Sequence, residues 1–157
     1  MKCIFISTTN MTPKEAYNFV VNIGLKRDQR SEQIIMKDPE WAYWYAEDII
    51  KGRWMEAEPY IMKDPEWAFW YARCVIKGRW LDAEPTIMPD PYWAFYYAVN
   101  IIKGRWPEAE PFIMKDPCYA YHYALKIIKG RWLEAEPHIM KDSQWRELYN
   151  DKFGIDI

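Results

Sequence analysis

The pair Ile-Met recurs at residues 35, 61, 87, 113 and 139, a spacing of 26 held without a single insertion. A fixed period of this length marks a repeat architecture, in which a small unit that cannot bury its own apolar face stacks on copies of itself. Four full units, 35–60, 61–86, 87–112 and 113–138, each follow I-M-K-D-P-x-W-A-x-x-Y-A-x-x-I-I-K-G-R-W-x-E-A-E-P-x closely. A fifth begins at Ile139 and leaves the pattern, so 139–157 reads as a C-terminal cap. Sliding back by 26 residues sets Thr12-Pro13 under Asp38-Pro39, Ala16-Tyr17 under Ala42-Tyr43, Ile23 under Ile49 and Arg27 under Arg53. Residues 12–34 are therefore a worn first repeat, and 1–34 reads as a leader followed by an N-terminal cap. All of 1–157 is expected to form a single α-solenoid domain.

Each unit punctuates its own helix. Asp38, like Asp64, Asp90 and Asp116, is a good N-cap; Pro39 suits the first helical position, where an N–H has no partner to lose. Lys51 complements the dipole at the far end, and Gly52 is the expected left-handed C-terminal residue, giving a first helix over about 39–51. The stretch 53–62 favours a short second helix, partly 3₁₀, because Pro59 is tolerated only in the first turn. The expected fold is all-α: two antiparallel helices per 26 residues in a right-handed α-solenoid with degenerate caps at both ends. Lys2-Cys3-Ile4-Phe5-Ile6 is left to pair as a strand or to cover the first repeat.

Composition narrows the class. Lys and Arg number 21 against 23 Asp and Glu, a formal charge of -2, so no basic surplus points to nucleic acid. Ten Trp, twelve Tyr and six Phe exclude disorder. The longest apolar runs, such as Trp93 to Val99, fall well short of the roughly 20 residues a membrane helix needs. The apolar run at Ile4-Phe5-Ile6 is too short for a secretory signal, and Cys3, Cys74 and Cys118 have no motif spacing. Free thiols in a reducing cytoplasm are expected.

On a helical wheel Tyr45, Ile49, Ala42, Ala46, Ile50 and Tyr43 share one arc, the expected core. The opposite arc changes from unit to unit. Its first position reads Glu40, Glu66, Tyr92 and Cys118; its second, Trp44, Trp70, Tyr96 and His122. The third reads Glu47, Arg73, Val99 and Leu125, and the fourth Asp48, Cys74, Asn100 and Lys126. Repeat scaffolds read partners on such faces, so Glu40, Trp44, Glu47, Glu66, Trp70, Arg73, Tyr92, Tyr96, Val99, His122 and Leu125 are the candidate partner-binding residues. The competing reading is that these rings cover the groove between repeats with Trp41, Trp67, Trp93 and Tyr119, because an exposed aromatic stripe is costly unless it is an interface.

The tetrapeptide Lys-Gly-Arg-Trp occurs four times and sets Lys51, Arg53, Lys77, Arg79, Lys103, Arg105, Lys129 and Arg131 in register. These eight cations are a candidate anion site for a nucleotide or single-stranded nucleic acid. The favoured reading is a structural ladder in which they pair with Asp38, Glu56, Glu58 and their copies. Cys118 and His122 lie four apart, but a metal site needs three or four ligands. No metal, cofactor or catalytic role is expected, since no nucleophile elbow, phosphate loop or His-Asp pairing is present. Partners are expected to be a protein first, a second copy of the chain next and nucleic acid last, with no membrane.

The run Met36-Lys37-Asp38-Pro39-Glu40-Trp41-Ala42-Tyr43-Trp44-Tyr45-Ala46, followed by Ile49-Ile50-Lys51-Gly52-Arg53-Trp54, resembles tandem helical repeats in proteins of tailed bacteriophages. The resemblance covers about 35–142. It implies a viral protein of the bacterial host cytoplasm, where a small binding protein would serve host takeover or the defeat of host defence. It carries no activity and no site residues.

Overall fold

The structure, a computed structural model, describes residues 10–155. The segment Lys2 to Ile6 and Cys3 lie outside the described residues. Among the described residues all regular secondary structure is helical, in a 26-residue rhythm. The chain divides into two compact units at Lys77 and Gly78. The first unit holds α1 (Pro13–Ile23), α2 (Gln29–Ile35), α3 (Pro39–Tyr45), α4 (Glu58–Ile61) and α5 (Pro65–Trp70). The second holds α6 (Glu84–Ile87), α7 (Pro91–Tyr97), α8 (Glu110–Ile113), α9 (Pro117–Tyr123), α10 (Glu136–Ile139) and α11 (Ser143–Phe153). Within each unit every long helix alternates with a short one, the helical-repeat fold that the spacing predicts.

The helix starts are those the sequence announces. Asp38 accepts a hydrogen bond from the Trp41 amide at 3.2 Å, and Asp90 accepts from Tyr92 and Trp93 at 2.9 and 3.2 Å. Thr12 and Glu15 form a reciprocal capping box at the start of α1. Hydrogen bonding to Thr12 holds the Glu15 carboxyl below its ordinary range. The short helices α4, α6, α8 and α10 carry proline within their first two residues, and α4 is led in by a 3₁₀-like turn, Ala57 N–H to Trp54 O at 3.0 Å.

The helix ends differ from expectation. Glycine does not take the left-handed position in the four full repeats: Lys51, Lys77, Lys103 and Lys129 do, at φ 58°, 60°, 59° and 59°. Gly52 and its copies lie outside that region, and a Cβ built on Gly52 meets nothing within 4 Å. The cause lies in the preceding turn. α3, α5, α7 and α9 each run into a π-helical turn, Ala46–Ile50, Tyr71–Ile76, Ala98–Ile102 and Ala124–Ile128. The lysine N–H then reaches back five residues, as from Lys51 to Ala46 O. The terminal helices α1 and α11 stay α-helical and end on left-handed Gly24 and Gly154, one repeat position earlier. The full repeats hold one residue more before the left-handed turn, and the wider turn absorbs it. The extra residue leaves lysine, not glycine, at the left-handed position.

A left-handed L-residue costs about 1–2 kcal/mol, partly offset by the flexibility glycine adds to the unfolded chain. Lys51→Gly is therefore expected to stabilise the protein by roughly 0.5–1 kcal/mol, read as a higher thermal midpoint. An unchanged or lower midpoint would mean that the lysine stem contributes packing that outweighs the strain.

The core lies between helices. Ala42, Tyr45 and Ala46, with Ala94, Tyr97 and Ala98 in the second unit, are fully buried, as are Ile61 and Ile113 of the short helices. Ile49 and Ile50 are only half-buried, which corrects their placement in the core. They fall in the π turn, where the 100° step of an α-helical wheel no longer applies.

Candidate functional site

The Lys-Gly-Arg-Trp segments build a junction, and it appears five times. Arg53 clamps Glu58 through two parallel hydrogen bonds, Nε to Oε1 and Nη2 to Oε2, both at 2.8 Å. Glu58 is 5% exposed, so the fork neutralises a buried charge. Its Oε1 also accepts the Tyr71 hydroxyl at 3.1 Å, while that hydroxyl accepts the Trp54 backbone N–H at 2.6 Å. Tyr71 comes from the next repeat, 17 residues beyond Trp54. Arg79–Glu84–Tyr97–Trp80, Arg105–Glu110–Tyr123–Trp106 and Arg131–Glu136–Tyr149–Trp132 repeat the arrangement. The worn first repeat keeps it as Arg27–Glu32–Tyr45, with the Asp28 N–H in the place of the Trp amide.

These junctions locate the candidate cations. Arg53, Arg79, Arg105 and Arg131 each form a two-bond fork with a glutamate, Glu58, Glu84, Glu110 or Glu136, while Glu56, Glu108 and Glu134 act on Arg27, Arg79 and Arg105 of the preceding repeat by charge alone. Hydrogen bonding to Arg131 holds the Glu136 carboxyl below its usual range. Asp38 is occupied as a helix cap. Lys51, Lys77, Lys103 and Lys129 are exposed, and no ion pair among the described residues uses them. Of the eight candidate cations the four arginines are thus engaged with glutamates, while Lys51 and Lys77 line one cavity of about 260 Å³ with Glu47, Gly52, Cys74 and Val75.

The variable face is partly open. In the first unit Trp44 is 37% exposed, while Glu40, Glu47 and Trp70 are half-buried and Glu66 and Arg73 exposed. Tyr43, Trp44, Trp67 and Trp70 line a pocket of about 270 Å³. Trp67 lies 5.5 Å from Tyr43 and meets Trp44 edge-on at 6.5 Å. The Arg73 guanidinium stands 5.3 Å above the Trp70 ring. Burial first, then hydrogen bonding toward Glu47 and Cys74, pushes the Tyr43 phenol far above its ordinary range. Asp48, at the fourth variable position, accepts the Tyr17 hydroxyl at 2.6 Å.

In the second unit Tyr92 is 40% exposed and packs on Tyr96 at 4.7 Å and on the edge of Tyr119 at 5.6 Å. Tyr96, Val99, His122 and Leu125 are half-buried. His122 sits between Phe95 at 6.2 Å and Trp145 at 5.5 Å; burial first, then the charge of Lys126, lowers its pKa. The rings divide by exposure: Trp67, Tyr119 and Trp145 pack at the contacts between repeats within each unit, while Trp44 and Tyr92 stand open. Among the described residues no group of three metal-ligating side chains forms.

Sequence reasoning passed over a second set of exposed positions, one in each full repeat. Met55, Leu81 and Leu133 are 61%, 66% and 63% exposed, and Pro107 at the same register is also exposed. The position after Lys-Gly-Arg-Trp reads Met, Leu, Pro, Leu, so an apolar residue is present at every copy of what looked like a free position. Among the described residues no helix is long and apolar enough to cross a membrane. Comparison with known protein families, curated proteins and solved structures finds no match to this chain.

Proposed function

We propose that this chain is a non-catalytic repeat scaffold that binds a protein partner through the variable face of its long helices. One observation carries the reading. On the long helices the constant Ala42, Tyr45, Ala68, Tyr71, Ala94 and Tyr97 are buried, whereas the rings left most open, Trp44 and Tyr92, sit at positions that change. Exposed aromatic side chains are the usual anchors of a protein interface, since they bury a large area at low entropic cost. We read that partner as a host or defence protein of an infected bacterium, a reading supported by the resemblance of the motif to phage repeats.

A photocrosslinking residue placed singly at Trp44, Tyr92 or Leu81 tests this in bacterial cells expressing the full chain. The expected result is one protein captured from Trp44 and Tyr92 and not from Leu81, with capture lost in the Trp44→Ala, Tyr92→Ala double variant. Capture from Leu81 alone would move the interface to the exposed apolar position that follows Lys-Gly-Arg-Trp.

A further inference from the structure

The pocket formed by Tyr43, Trp44, Trp67 and Trp70 has a chemistry more specific than an apolar groove. Four ring systems converge on about 270 Å³, and they are not parallel: Tyr43 lies tilted 57° to Trp44 and 32° to Trp67, and Trp44 lies 61° to Trp67. The cavity is therefore lined by rings in several orientations. It is smaller than the roughly 300–1,000 Å³ of a drug-sized ligand site, and suits one side chain.

The surrounding charge is negative. Glu40 lies four residues before Trp44 and Glu66 four before Trp70, spacings that bring each carboxylate to the same helix face as its ring, and Glu47 hydrogen-bonds with Tyr43, one of the four rings. Arg73 is the one cation at the variable positions of these two repeats, and it already stands over the face of Trp70. That contact shows what the ring faces attract. The second unit provides a contrast inside the same chain. There Tyr92 and Cys118 replace the glutamates at the first position, and Val99 and Leu125 occupy the third, so no carboxylate borders its rings at those positions.

A ring face carries partial negative charge, and a cation held against it gains most when it gives up little hydration. A bare ammonium is strongly hydrated, whereas a guanidinium is not, and methylation strips an ammonium of its donors. We infer that the Tyr43–Trp44–Trp67–Trp70 box receives a weakly hydrated cation, an arginine or methylated lysine side chain, presented by a basic peptide segment of the partner. This inference rests on the protein-binding reading of the face and adds the chemistry of its anchor.

The test uses the intact protein and short basic peptides that differ only at one central residue: arginine, trimethyl-lysine, lysine, citrulline, or an uncharged carbon isostere of trimethyl-lysine. Indole N–H resonances of Trp44, Trp67 and Trp70 report occupancy directly. Arginine and trimethyl-lysine peptides are expected to bind about tenfold or more tightly than their neutral isosteres. That preference should shrink in Trp44→Phe and Glu40→Gln, Glu66→Gln proteins and persist in Tyr96→Ala, whose ring belongs to the other unit. Equal binding of charged and neutral peptides would overturn the cation box and leave an apolar peptide pocket. Shifts on adding a uridine oligomer, with none from any peptide, would overturn it in favour of base stacking. No indole shift with any peptide, while Trp44 still crosslinks to a partner, would overturn the box alone and leave the interface standing.

Discussion

Raising the pH from 10 to 12 is expected to unfold this protein. Tyr45, Tyr71, Tyr97, Tyr123 and Tyr149 are fully buried, and in each the hydroxyl accepts a backbone N–H and donates to a glutamate. Burial is the largest cause that raises their pKa values, to about 12 for Tyr45 and Tyr149 and higher for the other three. The sign follows from proton binding. Between 10.0, the unshifted value, and the raised one, the folded state holds a phenol proton that the unfolded state has released. Stability is therefore complete below pH 10 and falls above it, by up to about 1.4 kcal/mol per pH unit for each tyrosine. With five such groups acting together the loss reaches about 7 kcal/mol per unit, comparable with the roughly 5–15 kcal/mol that hold a domain together. Helical circular dichroism and phenolate absorbance should change together in one steep step. Smooth ionisation near pH 10 with the helices intact would show that the hydroxyls are not locked.

The second large effect comes from one such lock. Tyr123 donates to Glu110 at 3.0 Å, accepts the Trp106 amide at 2.7 Å and stacks on Trp132 at 5.0 Å. Tyr123→Ala is expected to cost about 3–5 kcal/mol, as for other large aromatic truncations in a core. Tyr123→Phe keeps the ring and isolates the hydroxyl. It should cost about 1–3 kcal/mol, because a buried amide loses its acceptor while Glu110 loses a donor. Denaturant unfolding of both variants separates packing from bonding. A phenylalanine variant as stable as the parent would reduce Tyr123 to a space-filling ring.

How far the sequence reached depended on whether a contact was local. Asp38, Asp64, Asp90 and Asp116 act within three residues of themselves, so their capping roles were legible. Period and ring spacing likewise placed Ala42, Tyr45 and Ala46 in the core. The choice of Glu58 over Glu56 was not legible, because a four-residue helix is too short for a wheel to sort its faces. Lys-Gly read as an ordinary helix end, and the π turn that shifts the left-handed position onto Lys51 has no residue signature in Ala46–Ile50. That turn also carries Glu47, Arg73, Val99 and Leu125, so their place on the face followed less directly than those of Trp44 and Tyr92. The tyrosine lock spans 17 residues and joins two copies of the motif, which one copy read alone does not reveal.

The direction of that lock has a consequence for synthesis. Arg53 and Glu58 can find each other as soon as their own segment exists, but the Trp54 amide receives its partner only when Tyr71 has been made. On a ribosome, each repeat is thus left ajar until its successor emerges and latches it. The last latch is Tyr149, within the cap, so the short tail that breaks the motif is also what closes the repeat before it.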